Sequence, residues 1–211
     1  MIKAILYDLD GTLVDSIEDL GDALNAFLVR LGQKPADIHT FRSLLETGSR
    51  RLLLDSVEFL PEGYTPEELY MMFNDEYSTR LWEKSKPFPG VYGLLEKVKK
   101  RGLQQAVISN KKHDLVELVC DHFFKDTFEV CLGTMPNPPK PDPTMLHMVI
   151  DQLGIEPSEI LYVGDTLGDM EAAKNAGVQG VWADWGYGGK HTFEPMLHQP
   201  MELMELLESL S

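Results

Sequence analysis

Two aspartates separated by a single residue, Asp8 and Asp10, are the side chains whose spacing most directly indicates chemistry. They lie in the segment Asp8-Leu9-Asp10-Gly11-Thr12-Leu13, directly after an apolar run at residues 2–7. Two carboxylates this close repel each other unless a cation or a shared proton lies between them. Mg²⁺ supplies such a charge and prefers oxygen ligands, so one carboxylate can attack phosphorus while the other transfers protons. The pair therefore predicts metal-assisted phosphoryl chemistry, although a solvated, aspartate-rich turn has the same local pattern.

Gly11 and Thr12 complete this segment. A glycine allows the backbone to approach a phosphate closely, because it has no Cβ. Successive backbone N–H groups in such a turn can form a concave site for an anion. Both residues are therefore predicted to bind phosphate.

Three further polar clusters are each weak signals when taken alone. Ser109 and Asn110 follow an apolar run and offer a hydroxyl and N–H groups to a phosphate, but such residues end many strands. Lys140 lies among four prolines that stiffen the backbone around its ammonium, but a lysine in such a loop is usually just exposed. Asp165 and Asp169 lie at a strand end and a helix start, where aspartate is also a common N-cap. These clusters acquire meaning only if the fold brings them together.

The overall charge of the chain restricts its binding partners. Its 34 acidic and 19 basic residues give a formal net charge of −15, which argues against binding nucleic acid or an anionic membrane surface. A phosphate site in such a protein must carry its own cation. The N-terminus is too short and too early charged for a signal peptide, and no apolar run approaches about 20 residues. With two cysteines that lack metal-ligand spacing, the sequence predicts a cytoplasmic protein.

The elements that must position these clusters alternate between strand and helix patterns. Strand-like runs occur at residues 2–7, 105–109, 128–132, 160–164 and 179–183, and helical apolar patterns separate them. This order predicts an α/β fold with a doubly wound, Rossmann-like parallel sheet covered on both faces. Ligands of such sheets bind at the carboxyl ends of the strands, where three of these runs end in polar clusters.

Residues 16–85 contain helical patterns without a strand between them. Ser16 is predicted to cap a helix that stops at Gly32, a second helix carries apolar residues from Leu44 to Val57, and a third runs over about 66–82. We interpret this stretch as a helical cap domain inserted into a catalytic core of residues 1–15 and 86–211. The alternative is that these helices pack on the sheet as part of one domain.

In order and spacing, the four polar clusters are similar to the four motifs of the haloacid dehalogenase superfamily. The segment Asp8-Leu9-Asp10-Gly11-Thr12-Leu13-Val14-Asp15-Ser16 resembles its first motif almost letter for letter. The segment from Val163 to Gly177 looks like the fourth motif as phosphoglycolate phosphatases carry it. The resemblance spans the whole chain, and it implies a magnesium-dependent hydrolase with a helical cap.

The resemblance implies separate roles for the two aspartates of the first motif. Asp8 would be the nucleophile and a magnesium ligand. Asp10 would protonate the leaving alcohol, later activate water, and bind the metal through its backbone carbonyl. Dehalogenases of this superfamily lack the second acid, because a halide leaves without a proton. Its presence at Asp10 therefore indicates phosphoryl transfer.

The other motifs imply a phosphate site and a metal site. Ser109 and the adjacent amide of Asn110 would bind the phosphoryl group, and Lys140 would neutralise negative charge on the nucleophile and the phosphate. Asp165 would bind magnesium directly. Asp169 would hold a metal-bound water or orient Lys140.

The cap would exclude water and recognise the organic part of the substrate. Its segment Glu46-Thr47-Gly48-Ser49-Arg50-Arg51 resembles the substrate-specificity loop of the family only loosely. Gly48, Arg50 and Arg51 are the candidate specificity residues, with the arginines available to a carboxylate or a second phosphate. Either arginine can equally lie on a solvated helix face.

The sequence therefore predicts a phosphatase acting on phosphoglycolate or a similar small phosphorylated metabolite, as a monomer or homodimer. A phosphomutase or pyrophosphatase on the same scaffold is the alternative. Many sugar phosphomutases of this type have Glu where this chain has Gly164, which favours hydrolysis. A non-catalytic sensor of phosphorylated metabolites is a third possibility, but such a protein would be expected to lose Asp8 or Asp10.

Overall fold

Strands and helices alternate along the chain as the sequence pattern predicts. The computed structural model describes residues 1–37 and 48–210. Its strands are β1 (Ala4–Tyr7), β2 (Val14–Asp15), β3 (Lys86–Pro87), β4 (Gln104–Lys112), β5 (Val130–Thr134), β6 (Ile160–Gly164), β7 (Gln179–Ala183) and β8 (Met196–Leu197). Its α-helices are α1 (Ile17–Arg30), α2 (Ser49–Ser56), α3 (Pro66–Ser78), α4 (Val91–Lys100), α5 (His113–Phe124), α6 (Thr144–Leu153), α7 (Leu167–Asn175) and α8 (Leu203–Ser209). Short 3₁₀ helices occur at Pro157–Glu159 and Pro200–Glu202.

Six strands form one parallel sheet in the order β5-β4-β1-β6-β7-β8. Strand β1 lies between β4 and β6, and its last residue, Tyr7, pairs with Val107 on one side and Val163 on the other. The polar residues that follow these three neighbouring strands therefore meet at one edge of the sheet. The predicted α/β fold with a doubly wound parallel sheet is confirmed.

Apolar cores cover both faces of this sheet. Because side chains alternate along a strand, Ile5 and Tyr7 of β1 pack into one core, whereas Ala4 and Leu6 pack into the other. The first core is completed by α4, α5 and α8, and the second by α6 and α7. Burial on both faces explains why these strands read as continuous apolar runs rather than alternating ones.

The chain leaves the sheet domain after β2 and returns to it at β3, at the two ends of the stretch predicted to be a helical insertion. Strands β2 and β3 pair antiparallel there, with Asp15 opposite Lys86. The carboxylate of Asp19 on α1 accepts hydrogen bonds from the backbone N–H groups of Lys84 and Ser85, which holds the returning chain. Apolar residues of α1, α2 and α3 join the same core as Tyr7. The boundaries 1–15, 16–85 and 86–211 stay a prediction.

The ends of several elements differ from the predicted ones. Helix α1 begins after Ser16, but the Ser16 side chain does not cap it, because the hydroxyl donates to Asp10 instead. Helix α3 ends at Ser78, short of the predicted 82, and begins at a Thr65–Glu68 capping box that the prediction omitted. Of the predicted second helix, Leu44 lies outside the described residues. Within those residues, no helix is both long and apolar enough to cross a bilayer.

Candidate active site

A small cavity of about 40 Å³ lies at the edge of the sheet where β1, β4 and β6 end. Side chains that follow these strands line one side, and residues of the insertion line the other. The lining residues are Asp8, Asp10, Leu20, Gly48, Ser49, Ser109, Asn110, Lys111, Lys140, Thr166 and Tyr187. The fold therefore brings residues from the four predicted motifs to one place.

Lys140 lies at the centre of this site. Its ammonium is 2.6 Å from Oδ1 of Asp8 and 2.6 Å from Oδ1 of Asp169, and it also contacts the Tyr162 hydroxyl at 2.8 Å. Burial alone would lower the pKa of this ammonium, but the carboxylates of Asp169 and Asp8 outweigh it and raise the pKa. Lys140 is therefore a permanently charged group that touches the candidate nucleophile.

The side chain of Asn110 holds the backbone of Lys140. Its Oδ1 accepts from the Lys140 N–H at 2.7 Å, and its Nδ2 donates to the Lys140 carbonyl at 3.2 Å. The sequence pattern explains the rigidity of this loop by its prolines alone. The Ser109 hydroxyl accepts from the Lys111 N–H at 3.2 Å, which leaves its own proton free to be donated into the cavity.

Three buried carboxylates, those of Asp8, Asp165 and Asp169, have oxygens within 4.8 Å of one another. Burial raises the pKa of Asp8 well above its ordinary value, with Lys140 opposing and Asp169 adding to the rise. Burial and the Asp169 carboxylate raise the pKa of Asp165 to about 7. Three carboxylates thus lie close together with one ammonium, which contacts two of them, and they need further positive charge to be ionised together. An all-oxygen set of this kind fits a hard divalent cation.

Close packing around Asp165 explains Gly11 of the first motif and two glycines, Gly186 and Gly188, of the loop between β7 and β8. A Cβ on Gly11 would lie 2.3 Å from Oδ2 of Asp165, and one on Gly186 would lie 2.3 Å from its Cβ. A Cβ on Gly188 would lie 1.8 Å from the Asp165 carbonyl oxygen. The backbone N–H of Tyr187 donates to Oδ2 at 2.7 Å. The loop that carries these residues therefore fixes one carboxylate of the cluster.

Gly11 and Thr12, predicted to bind phosphate, make contacts of another kind. The Gly11 N–H donates to the Val14 carbonyl at 2.9 Å, and the Thr12 hydroxyl donates to Oδ1 of Asp165 at 2.9 Å. In this structure both residues support the turn and the carboxylate cluster. Their binding of phosphate stays a prediction.

Asp10 is bonded to a lysine that the sequence pattern did not single out. The Lys111 ammonium contacts Oδ1 of Asp10 at 2.7 Å and Oδ2 at 2.6 Å, and the Ser16 hydroxyl donates to Oδ1 at 2.6 Å. The same ammonium donates to the Tyr77 hydroxyl, on helix α3 of the insertion, at 3.0 Å. Side chains two apart in a strand share a face. A prediction that extended β4 to residue 112 would therefore have placed Lys111 on the same face as Ser109.

The hydroxyl of Tyr187 also makes hydrogen bonds that the sequence does not predict. It accepts from the N–H groups of Ser16 at 2.7 Å and Ile17 at 3.2 Å, and it donates to Asp15 at 2.9 Å. Tyr187 thus joins the start of the insertion to Asp165. The glycines on either side of it are the only signal for close packing there, and they do not identify the partners.

Of the candidate specificity residues, Gly48 lines the cavity beside Asp8, whereas the two arginines do not. Arg50 pairs with Glu67 at 3.0 Å and Arg51 with Asp55 at 2.7 Å, and both arginine side chains are at least half exposed. They line a neighbouring cavity of about 260 Å³, which meets the first one at Gly48 and Asn110. Within the predicted specificity loop, residues 46 and 47 lie outside the described residues.

Comparison with known proteins agrees with this geometry. Residues 5–183 match the family described as haloacid dehalogenase-like hydrolase. A phosphoglycolate phosphatase of Psychrobacter arcticus is 35% identical over 195 residues, which cover 88% of this chain and 84% of that protein. An N-acetylmuramic acid 6-phosphate phosphatase of Pseudomonas aeruginosa is 30% identical over 88% of this chain and 83% of its own length. The crystal structure of a predicted phosphoglycolate phosphatase from Haemophilus somnus superposes with a TM-score of 0.86 at 26% identity, covering 98% of both chains.

Proposed function

This chain belongs to the haloacid dehalogenase-like hydrolase family, and we propose that it is a magnesium-dependent phosphatase that acts through a covalent aspartyl-phosphate on Asp8. The observation that carries the proposal is the buried contact of 2.6 Å between Asp8 and Lys140, beside the carboxylates of Asp165 and Asp169. This arrangement provides a nucleophile, a fixed positive charge and an oxygen site for a cation. Relatives named as phosphatases cover most of the chain.

The proposed reaction has two displacements at phosphorus. An Asp8 oxygen forms a bond to phosphorus while the bond to the leaving alcohol oxygen breaks, and Asp10 gives that oxygen its proton. Water then attacks phosphorus and gives a proton back to Asp10, and the bond to Asp8 breaks to release inorganic phosphate. The Ser109 hydroxyl and the backbone N–H of Asn110 hold the phosphoryl oxygens, and Lys140 offsets their charge.

A divalent cation fits beside these groups. Asp8, Asp165 and the backbone carbonyl of Asp10 would hold Mg²⁺, with Asp169 supporting Lys140 or a water molecule. Bound magnesium would supply positive charge to the carboxylates and to the phosphoryl oxygens. The raised pKa values of Asp8 and Asp165 mark the positions where that charge is needed.

Hydrolysis is favoured over phosphomutase chemistry by the surroundings of Gly164. A Cβ at this position would lie 2.5 Å from the Cβ of Asp169, so the Glu of many sugar phosphomutases does not fit here without displacing Asp169. A non-catalytic sensor is disfavoured because Asp8 and Asp10 both line the cavity.

The size of the site and the names of the relatives support a class of substrate. The space beside Asp8 is about 40 Å³, and the larger cavity beside it carries two arginines. One relative is named for phosphoglycolate and the other for a sugar phosphate, so their names do not determine which alcohol leaves from the substrate of this chain. We propose a small phosphomonoester of the phosphoglycolate kind, with the protein working in the cytoplasm.

Release of phosphate from a panel of metabolites, with and without magnesium, tests this function. We expect hydrolysis of at least one small phosphomonoester, its loss in chelator and its recovery with magnesium. Calcium should not restore it, because its looser and higher coordination spoils the in-line geometry. Full activity in chelator would contradict the metal role, and formation of an isomeric sugar phosphate without phosphate release would favour a mutase.

A further inference from the structure

Lys111 is a buried cation of the site that the proposed mechanism does not use. Its side chain is 4% exposed, and its ammonium bonds both oxygens of Asp10 and the hydroxyl of Tyr77. Lys111 lies near the end of strand β4 of the sheet domain, whereas Tyr77 belongs to helix α3 of the insertion. One ammonium thus connects the proton-transferring aspartate to the part of the chain that covers it.

The donors around Asp10 restrict how its carboxylate can turn. Lys111 contacts both oxygens, and the Ser16 hydroxyl contacts Oδ1. A proton donor must lie within about 2.6–3.2 Å of the atom that receives the proton, so a small rotation of this carboxylate removes its effect. The carboxylate is still about one-fifth exposed, and it lines the cavity beside Asp8. The donors therefore orient the group, and Oδ2, which accepts only the Lys111 bond among the described residues, keeps a lone pair for the proton that is transferred.

We propose that Lys111 is a positioning residue that fixes the Asp10 carboxylate for proton transfer, and that Tyr77 makes this orientation depend on the insertion being seated on the sheet domain. The inference rests on the proposed function, because it assigns a supporting group to its acid and base. When the insertion lifts, Lys111 loses the Tyr77 hydroxyl and Asp10 loses its fixed orientation. Proton transfer is then available mainly when the cavity is covered and water is excluded.

A purely structural role explains this lysine poorly. A buried ion pair contributes little stability compared with apolar side chains of similar size. A stabilising residue at the end of β4 would also not need to face the cavity. The neighbouring Lys112 shows the contrast, because its ammonium pairs with Asp114 outside the cavity.

The choice of leaving group separates positioning of Asp10 from other effects. An alkyl alcohol leaves only with a proton, which Asp10 transfers as the bond from phosphorus to the alcohol oxygen breaks. A nitrophenolate is a stable anion and leaves without that proton. Both substrates still need water to be activated by Asp10 in the second displacement.

The test is Lys111→Met, assayed with 4-nitrophenyl phosphate and with an alkyl phosphomonoester that the unaltered protein hydrolyses. We expect kcat/KM to fall about 100-fold or more for the alkyl substrate, since general acid catalysis contributes about 10²- to 10⁴-fold. For 4-nitrophenyl phosphate, kcat/KM should change less than about threefold, because it reports formation of the aspartyl-phosphate. Nitrophenolate should then appear in a burst equal to the enzyme concentration, followed by slow turnover.

Three variants control this result. Lys112→Met removes a lysine from the same strand and should leave both substrates unaffected. Asp10→Asn should reproduce the leaving-group pattern, and adding Lys111→Met to it should cost little more, because both changes act on one group. Tyr77→Phe removes a single oxygen from a buried ring, so it tests the proposal even if Lys111→Met folds poorly. We expect it to show the same pattern with a loss of about tenfold.

The outcomes distinguish failure of this inference from failure of the proposed function. Equal losses on both substrates, absence of a burst, or losses that multiply in the Asp10→Asn background would overturn the positioning role of Lys111. An unchanged Tyr77→Phe would overturn the dependence on the insertion. If the unaltered protein releases phosphate from neither substrate, or if Asp10→Asn shows no leaving-group dependence, the proposed function itself is wrong.

Discussion

Lys140 and Lys111 are both buried ammonium groups beside an aspartate of the first motif, but their surroundings come from different parts of the chain. The side-chain partners of Lys140 are Asp8, Asp169 and Tyr162, all of the sheet domain. Lys111 bonds Asp10 and, across the boundary to the insertion, Tyr77. The proposed nucleophile is therefore held by the sheet domain, whereas the orientation of the proposed acid and base, as we infer it, also depends on the insertion.

The difference indicates that the sheet domain and the insertion contribute to different parts of the reaction. The Lys140 surroundings form at the ends of neighbouring parallel strands, whose hydrogen bonds fix their relative positions. The Lys111 surroundings depend on the packing of helix α3, whose apolar side chains join the same core as Tyr7. Substitutions around Lys140 should therefore affect every substrate equally, and substitutions on the side of the insertion should affect substrates according to their leaving group or their charge.

The largest effect is expected from Asp8→Asn. An amide of equal size removes the nucleophile, so turnover of every substrate should be abolished, as measured by phosphate release from protein shown by mass spectrometry to be free of deamidation. The fold should remain intact. Burial raises the pKa of Asp8, so the folded state favours its neutral form, and the stability that this form contributes at low pH is lost as the pH rises. The neutral amide keeps it.

Thermal unfolding in chelator at neutral pH therefore checks the second half of this prediction. Asp8→Asn should unfold at the same temperature as the unaltered protein or higher. A residual activity above a few per cent would remove Asp8 from the role of nucleophile. A large drop in unfolding temperature would show that Lys140 needs the negative charge of Asp8 in addition to that of Asp169 to remain buried.

A pH-dependent effect is expected at Asp165 when metal is withheld. Its pKa is raised from 3.8 to about 7 by burial and Asp169, against the opposing Tyr187 N–H, Thr12 and Lys140. A group whose pKa is raised in the folded state contributes stability that is present below pH 4 and lost as the pH rises through 7. In chelator, the unfolding temperature should therefore fall between about pH 4 and 7. A difference of one between the folded and unfolded pKa values corresponds to about 1.4 kcal/mol in the free energy of unfolding.

Magnesium and one substitution provide the comparison. Magnesium should reduce this fall, because the cation stabilises the ionised carboxylate. Asp165→Asn should make this fall smaller in chelator, with the part caused by the raised pKa of Asp8 remaining, and it should also remove the response to magnesium. An unfolding temperature that rises over the same interval would contradict the assignment of Asp165 as a carboxyl that lacks a compensating positive charge.

The sequence could predict the residues that local geometry determines. Asp8 and Asp165 come directly after apolar strands that pair with each other in parallel, so their meeting follows from the sheet alone. Ser109 follows from the same argument. The position of Lys140 against Asp8 followed only from the family resemblance, because no pattern indicates where a proline-rich loop of that length will fold.

Other contacts depend on packing that no periodicity encodes. The contact between Lys111 and Tyr77 requires helix α3 to be docked on the sheet domain, and the two residues are 34 positions apart. Ser16 has the residue type of an N-cap, but its hydroxyl donates to the carboxylate of Asp10, and its side chain accepts no hydrogen bond from the helix. Gly11 is predicted to bind phosphate, whereas in the structure the absence of a Cβ there makes room for Asp165.

The smallest effect is expected at the arginines of the insertion. Arg50 pairs with Glu67 and Arg51 with Asp55, so an anion of the substrate must compete with a carboxylate that is already in place. An exposed ion pair contributes about 0.2–1 kcal/mol, which is at most about fivefold in a rate constant. Arg50→Ala should therefore lower kcat/KM for a carboxylate-bearing phosphomonoester by no more than about fivefold and leave 4-nitrophenyl phosphate unchanged. Arg51→Ala should change neither substrate, because its partner lies on its own helix.

Glu67→Gln tests whether Arg50 binds the substrate. The substitution removes the competing charge and keeps the size of the side chain, so an arginine that binds the substrate anion should bind it more tightly, and kcat/KM for the carboxylate-bearing substrate should rise. The 4-nitrophenyl phosphate reaction should not respond, because that substrate offers no second anion.

If Glu67→Gln and Arg50→Ala both leave the two substrates unchanged, the insertion does not select substrates by charge at this position. Its contribution would then be limited to covering the cavity and holding Asp10 through Tyr77 and Lys111. A loss well above fivefold in Arg50→Ala would instead mean that Arg50 leaves Glu67 when substrate binds, and the insertion would then contribute to charge recognition as well as to proton transfer.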